Sequence, residues 1–407
     1  MADPIRIIEP GAANASAPRW QAFLELGFRP LYLAGCFWAA VSVALWIFAP
    51  QWLRGTLPGV LWHAHEMLWG FVATIAVGFL LTAGANWTGI NPLRGAALGA
   101  LALLWVAARV GFLLPLDLAF SVALLCELCF FGIAAAALGR AIYRARSRRN
   151  YGIPLLVLGL GVADALFLWA VRAGDYTLLM QRFHAGLFCM AVIALLVARR
   201  VIPFFAMRAV AGLALPMHTQ SGQWQLGAGV FAIAALLLGW RDLSAAALSV
   251  AGALAVWQTI AWQPLAVRRV PLLWILYVGY ASLGIGLIVA AAHLAGWVLR
   301  PAWPAHVIGV AGFSVLIIGM VTRTALGHLG RPLRTDRSMV AAYILVIAAA
   351  ALRLAALPPS TAMPYLLHLS ACAWVLAFAL YLWRFAPLLI RPRLNPPPPA
   401  IPTMPRR

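Results

Sequence analysis

The chain has 407 residues, of which 64% are hydrophobic and only 10% are charged. A soluble domain of this length would have to expose much of that apolar surface to water, so the composition excludes a soluble fold. It indicates an all-α polytopic membrane protein, because apolar runs of roughly 17 to 25 residues, the length that crosses the hydrocarbon core as a helix, recur along the chain.

Twelve such runs can be delimited, although Arg241 and Asp242 interrupt the stretch 225–262. We therefore predict 12 transmembrane helices in one membrane domain, 29–385, which follows an N-terminal segment, 1–28. A Pro-rich tail, 386–407, comes last, and a tail of that composition is not expected to pack. The predicted spans cover residues 31–49, 62–83, 96–114, 118–139, 151–171, 179–200, 225–240, 244–262, 272–296, 304–323, 338–356 and 362–383.

The net charge of +20 comes from arginine, because all 30 basic residues are Arg. The N-terminal segment, the even-numbered loops and the tail contain 23 of them, whereas the odd-numbered loops contain six. By the positive-inside rule, both termini face the cytoplasm. The charge thus follows the topology, so we expect the lipid bilayer as a partner and no nucleic acid.

All five cysteines fall within predicted spans, where an oxidising compartment does not easily reach them, so we expect no disulfide framework. Cys126 and Cys129, in the sequence LCELC, lie on one helical face with Glu127 between them. Two interpretations stay open for this pair, a soft-metal site and ordinary packing within an apolar helix.

The predicted topology places six of the eight histidines in the outer half of the membrane. A single histidine there is usually bonded to a neighbouring helix or lies at the interface, but six in one leaflet favour a metal or haem site. The predicted metal ligands open spans 2, 6 and 10, and they are His63, His65, His184 and His306. His293 and His368 are the other two, while His218 and His328 lie towards the cytoplasm.

The sequence WHAHEM at 62–67 carries two of these ligands. At about 100° per residue, His63 and His65 point some 160° apart on a regular helix, so we expect them to bind cofactors in two different sites. Glu66 falls on the face of His63. It is predicted either to fix the tautomer of a ligand on that face or to act as a catalytic group that handles protons. The alternative is an interfacial glutamate bonded to Trp or Arg.

His306 is expected to complete the site from span 10, at nearly the same depth as the WHAHEM histidines. The small residues Ala305, Gly309 and Gly312 would allow the two helices to approach closely.

Three charged residues lie deep in predicted spans 3, 4 and 5: Arg109, Glu127 and Asp164. An unpaired charge at the centre of the bilayer costs at least about 2.5–3.5 kcal/mol, so we expect a pair or triad among them. Such a group of charges is either a structural ion pair or functional. If it is functional, it forms part of a proton path or balances the charge of a haem propionate.

Spans 2, 6 and 10 are spaced four apart, and each begins with histidine on the outer side. This spacing suggests three pseudo-repeats of four helices. The arrangement resembles the catalytic subunit of haem–copper oxidases. This resemblance concerns only the arrangement of the helices, and no residue role is carried over from it.

A closer resemblance is distributed from Phe28 to Pro332. It consists of the motifs FRPLYL (28–33), WHAHEMLWGF (62–71), GFLLTAGANWTG (78–89), RRVIPFF (199–205), PLLWILYVGY (271–280), AHVIGVAG (305–312) and MVTRTALGHLGRP (320–332). On these motifs the chain resembles the NnrS family. The family's pattern maps to His63, His65, Glu66, Asn86, Trp87, His306, Arg323 and His328.

The resemblance implies a protein of the bacterial inner membrane that contains haem b and copper and responds to nitric oxide and nitrosative stress. Such a protein also requires an electron donor, which the sequence does not identify. A different function class fits the same twelve spans and buried charges, namely a non-redox transporter or metal permease. A haem absorption band would distinguish the two classes.

Overall fold

The computed structural model describes residues 17–57 and 59–394, and every regular element within these ranges is a helix. This confirms the expected all-α polytopic fold. In lipid, only a helix or a closed barrel satisfies the backbone polar groups internally, which is why apolar runs of this length become helices. The long helices are α1 (Phe28–Phe48), α2 (Gly59–Thr88), α3 (Ala96–Leu113), α4 (Asp117–Arg144), α5 (Gly152–Ala173), α6 (Tyr176–Ala209), α7 (Thr219–Leu237), α8 (Arg241–Ala261), α9 (Pro271–Leu294), α10 (Ala302–His328), α11 (Arg337–Ala355) and α12 (Met363–Leu389).

Eleven helices in the described part of the chain have the length and hydropathy to cross a membrane. The helix α7 is not among them, and its first two turns contain Gln220, Gln223 and Gln225. The predicted count of twelve spans is therefore supported for eleven helices and stays a prediction for α7.

Most consecutive helices pack against each other, and α12 packs against α1. The helices α2, α6 and α10 contact one another and are the most extensively buried of the eleven candidate spans. The predicted internal repeat stays a prediction. The structure does bring together the three histidine-bearing helices that are spaced four apart.

Glycine residues allow the backbones of α9 and α10 to approach each other closely. A Cβ atom on Gly279 would lie 2.6 Å from the backbone nitrogen of Leu316, and one on Gly312 would lie 3.0 Å from Cα of Leu283. By contrast, a Cβ on Gly309 would meet no atom within 4 Å. The expectation that the small residues near His306 allow α2 to approach is therefore wrong in detail, because Gly312 accommodates α9 instead.

Both α2 and α10 contain a π-helical segment directly after a histidine. Glu66–Ala73 follows His65, and Val307–Ser314 follows His306. The predicted directions of His63, His65 and Glu66 rested on a regular α-helix. A π turn holds more residues than an α turn, so it changes the direction in which the side chains after each histidine point.

The predictions for the two ends of the chain fall partly on residues 1–16 and 395–407, which lie outside the described residues. Between these segments, Trp20–Phe23 forms one helical turn before α1. The last long helix continues to Leu389, four residues beyond the predicted end of the membrane domain.

Candidate metal centres

The first turns of α2 place His63 and His65 in different surroundings, as the helical geometry predicts. His63 lines a cavity together with His306. His65 is fully buried on the other side of the helix and contacts carboxylates of α4 and α5. The two histidines therefore belong to separate clusters.

The cavity beside His63, called here the histidine cavity, has a volume of about 340 Å³. Its walls are almost entirely apolar, and Arg353 is the one charged residue that lines it within the described chain. The thioether of Met67 also lines it, one helical turn after His63. Aromatic side chains line it as well, among them Trp46, Phe71 and Trp374.

The rings of His63 and His306 lie side by side, with centroids 6.5 Å apart and planes inclined by 21°. Nδ1 of His306 donates a hydrogen bond to the carbonyl of Ala302 at 2.7 Å, which leaves Nε2 with a free lone pair. His63 makes no hydrogen bond with a described residue; its Nδ1 is buried without a partner. The ring stacks instead on Trp46, with centroids 5.4 Å apart.

This separation is compatible with two imidazoles that bind one metal ion. A metal–nitrogen distance of about 2.0–2.1 Å and roughly 1 Å from nitrogen to ring centre give about 6 Å between the two centroids. The observed 6.5 Å is close to that value. The His63 and His306 pair, in its apolar cavity, thus offers two imidazoles of the kind that bind haem iron.

The second cluster, called here the carboxylate network, consists of His65, Glu66, Arg109, Glu127 and Asp164. Nδ1 of His65 lies 3.0 Å from Oε1 of Glu66, and Nε2 lies 3.0 Å from Oδ1 of Asp164 and 3.3 Å from Oε2 of Glu127. Arg109 donates to Oε2 of Glu66 at 2.8 Å and also donates to Glu127. The predicted grouping of the three deep charges is confirmed, and the network adds His65 and Glu66.

The charges in this network do not balance with a neutral His65. Three carboxylates and one guanidinium sum to −2, and all five side chains are almost completely buried. A neutral imidazole can donate from one nitrogen only, so its other nitrogen would face the carboxylate oxygens with a lone pair. Oε2 of Glu127 and Oδ2 of Asp164 also lack hydrogen-bond donors. The arrangement therefore calls for two protons or one divalent cation.

The ligand atoms of His65, Glu127 and Asp164 converge closely enough for a cation, since they all lie within 4.8 Å of one another. Glu66 accepts from the opposite nitrogen of His65, which is the way metal-binding histidines are commonly held.

The expectation that Glu66 shares the face of His63 is wrong. Glu66 contacts His65, Arg109 and the indole nitrogen of Trp38, which donates to it at 2.5 Å. The reason is the π segment that begins at Glu66, because a smaller rotation per residue keeps Glu66 closer to the direction of His65. The alternative of a glutamate bonded to Trp or Arg describes its surroundings better.

His184, which was expected to join the other ligands, is paired with His293 of α9. The ring centroids are 5.6 Å apart, and Nε2 of His184 is buried without a hydrogen-bond partner. Nδ1 of His293 donates to the carbonyl of Val298 at 2.5 Å. His293 was not among the ligands predicted from the sequence, and no local motif signals this pair.

The remaining candidates lie apart from these clusters. Cys126 and Cys129 are partly exposed on α4, on a different face from the buried Glu127. His368 is exposed and donates to the carbonyl of Pro364 at 2.7 Å. Four residues of the family pattern, Asn86, Trp87, Arg323 and His328, line a second cavity at the arginine-rich end of the helices.

Comparison with known proteins yields one assignment. No curated protein matches this chain. A family model described as NnrS protein matches residues 22–393, which is nearly the whole sequence and includes every residue of the histidine cavity and the carboxylate network. The chain is therefore a multi-pass membrane protein that belongs to the NnrS family.

Proposed function

We propose that this protein is a redox protein of the bacterial inner membrane, with both termini in the cytoplasm, that uses haem b and copper to bind or turn over nitric oxide. The proposal rests mainly on one observation, the pair of neighbouring imidazoles in an apolar cavity. Nitric oxide is small and apolar and concentrates in lipid. A centre that is buried among helices and reached through apolar walls would suit it.

Haem iron held by His63 and His306 would supply a one-electron couple and, when one of the histidines is displaced, could bind nitric oxide. The two histidines are held differently. His306 is fixed by its bond to the carbonyl of Ala302, whereas His63 is held only by stacking on Trp46. His306 would therefore be the permanent ligand and His63 the one that can move aside. The guanidinium of Arg353, at the cavity wall, would pair with a haem propionate.

The carboxylate network offers a second centre, which we assign to copper. One imidazole nitrogen and carboxylate oxygens suit Cu(II), which binds such donors more tightly than the other divalent metals of its row. In this assignment His65, Glu127 and Asp164 would hold the ion, while Glu66 would orient His65 from the far nitrogen. Glu66 then positions a ligand and is not itself a catalytic group.

A visible absorption spectrum of the purified protein, with metal analysis for iron and copper, tests the proposal. We expect a Soret band, and we expect nitric oxide added to the reduced protein to shift it. The variant His306→Ala should lose the band, whereas His368→Ala, a change to an exposed histidine at the same end, should keep it. If protein supplied with haem during expression shows no Soret band, the alternative of a non-redox transporter is favoured.

A further inference from the structure

A cavity of about 1160 Å³ lies at the other, arginine-rich end of the helix bundle. Side chains of α2, α6 and α10 form much of its wall. Among the described residues that line it there are five arginines and no aspartate or glutamate. The arginines, which give this arginine cavity its name, are Arg149, Arg200, Arg208, Arg323 and Arg393.

Arg323 is the most informative of the five. Its side chain is only 6% exposed, and it forms no hydrogen bond or ion pair with any described residue. The guanidinium lies over the ring of Phe205, with its carbon 4.0 Å from the ring centroid. The guanidinium also lines the cavity and has no counter-ion among the described residues, so an anion bound there would meet an unpaired positive charge.

Other cationic groups in the cavity are held in position. Arg200 donates to Oδ1 of Asn150 at 2.8 Å and to the carbonyl of Arg149 at 3.2 Å. Arg208 lies over the ring of Phe204. Guanidinium groups fixed in this way lose little freedom when they bind an anion.

The family motifs point to the same place. Asn86 and Trp87 come from the motif after span 2, and Arg323 and His328 come from the motif TR-x-x-x-GH. Neither the histidine cavity nor the carboxylate network includes any of these four residues, yet all four line the arginine cavity. The positive-inside rule accounts for arginines at this end of the molecule, but it does not account for their convergence on one cavity with amide and indole groups.

We infer that the arginine cavity is a binding site for a phosphate-bearing anion. Arginine forks match the geometry of phosphate oxygens and bind them through charge-assisted hydrogen bonds. Phe79, Phe204 and Leu196 add apolar wall beside the charged one. A phosphate with an apolar portion, such as the head group of an anionic phospholipid, and a free phosphate both share this chemistry. The site is independent of haem and copper.

Delipidated protein in a neutral detergent provides the test, with thermal unfolding and titration calorimetry at constant ionic strength. One arm uses pyrophosphate as the soluble probe, and the other compares short-chain phosphatidylglycerol with phosphatidylcholine. We expect one of the two anionic probes to bind and phosphatidylcholine not to bind. The probe that binds identifies the source of the phosphate.

Variants decide whether binding occurs in the cavity. Arg323→Gln and Arg200→Gln should each weaken binding by roughly tenfold or more, as expected for the loss of a hydrogen bond between charged groups. The matched control is Arg334→Gln, because Arg334 is exposed at the same end and does not line the cavity. It should change the affinity by no more than about twofold. Absence of binding by both probes, or equal weakening in Arg334→Gln and Arg200→Gln, would overturn the inference.

Discussion

His63 and His65 are separated by a single residue of α2, yet His63 lies beside His306 in the histidine cavity while His65 is enclosed by the carboxylate network. One turn of one helix thus contributes to two clusters with different chemistry. One is apolar and has a single guanidinium at its wall, and the other is a buried set of charges.

Substitutions of the two histidines should therefore remove different cofactors. In our proposal His63→Ala weakens or removes haem absorbance and leaves copper in place, because the carboxylate network does not contact His63. His65→Ala should lose copper and keep the Soret band. Spectra and metal content of the two purified proteins check this expectation. Identical loss of both cofactors in two folded variants would argue for one shared site.

Arg109 should be essential for stability because it bridges Glu66 and Glu127. Arg109→Met leaves buried carboxylates without their cation, and removing one partner of a buried ion pair typically destabilises a protein by about 3–5 kcal/mol. Thermal unfolding in detergent should therefore occur at a much lower temperature.

Two further variants isolate the cause of this destabilisation. Arg54→Met, at an exposed position, should have little effect on unfolding. Adding Glu127→Gln to Arg109→Met should recover part of the loss, since it removes one uncompensated charge. If the double variant is less stable than Arg109→Met, the network is not held by this charge balance.

The orientation in the membrane can be tested with reporters. A fusion after Arg149, between α4 and α5, should be fluorescent with a cytoplasmic reporter and inactive with alkaline phosphatase, which requires the periplasm. A fusion after Arg300, between α9 and α10, should give the opposite result. This expectation follows from the distribution of arginine among the loops. Phosphatase activity after Arg149 would invert the topology and move the histidines to the inner side.

Stability at acid pH should depend on Asp336, which precedes α11. Burial alone would raise the pKa of this carboxyl, but hydrogen bonds from Arg384, Ser338 and the backbone N–H of Met339 outweigh that effect and hold the pKa below its usual 3.8. A lowered pKa stabilises the folded state above the unfolded value, and this contribution is lost as the pH falls through the folded value.

The variant Asp336→Asn measures this contribution. Asparagine also begins helices well, so the change removes mainly the charge. We expect wild type to melt at a higher temperature than the variant near neutral pH, and the difference to shrink as the pH falls below about 4. A difference that persists unchanged in acid would mean that the Arg384 contact does not depend on the ionised carboxylate.

Much of the candidate site could be predicted from sequence because an unpaired charge in the hydrocarbon core of a membrane is energetically unfavourable. Arg109, Glu127 and Asp164 had to find partners, whatever the details of packing. His63 and His306 open their helices at a similar depth, which made their meeting predictable once the topology was assigned. These inferences depend only on depth and charge.

Other features depend on how helices rotate and pack, which single-sequence patterns do not determine. The pairing of His184 with His293 requires the contact between α6 and α9. The position of Glu66 depends on a π segment, and no residue in EMLWGFVA breaks the apolar pattern of an ordinary helix. For the same reason, neither Trp46 beside His63 nor Arg353 at the cavity wall was identified in advance.

The π segments also make the direction of the histidine side chains depend on the number of residues in each helix. A π turn has the geometry of an α-helix into which one additional residue has been inserted. Deleting a residue from Glu66–Ala73 or Val307–Ser314 would restore an α-helix and rotate the histidines at its outer end relative to the rest of the same helix. The imidazoles of His63 and His306 lie side by side only while both helices keep their extra residue, so shortened relatives should not be assumed to share this pair.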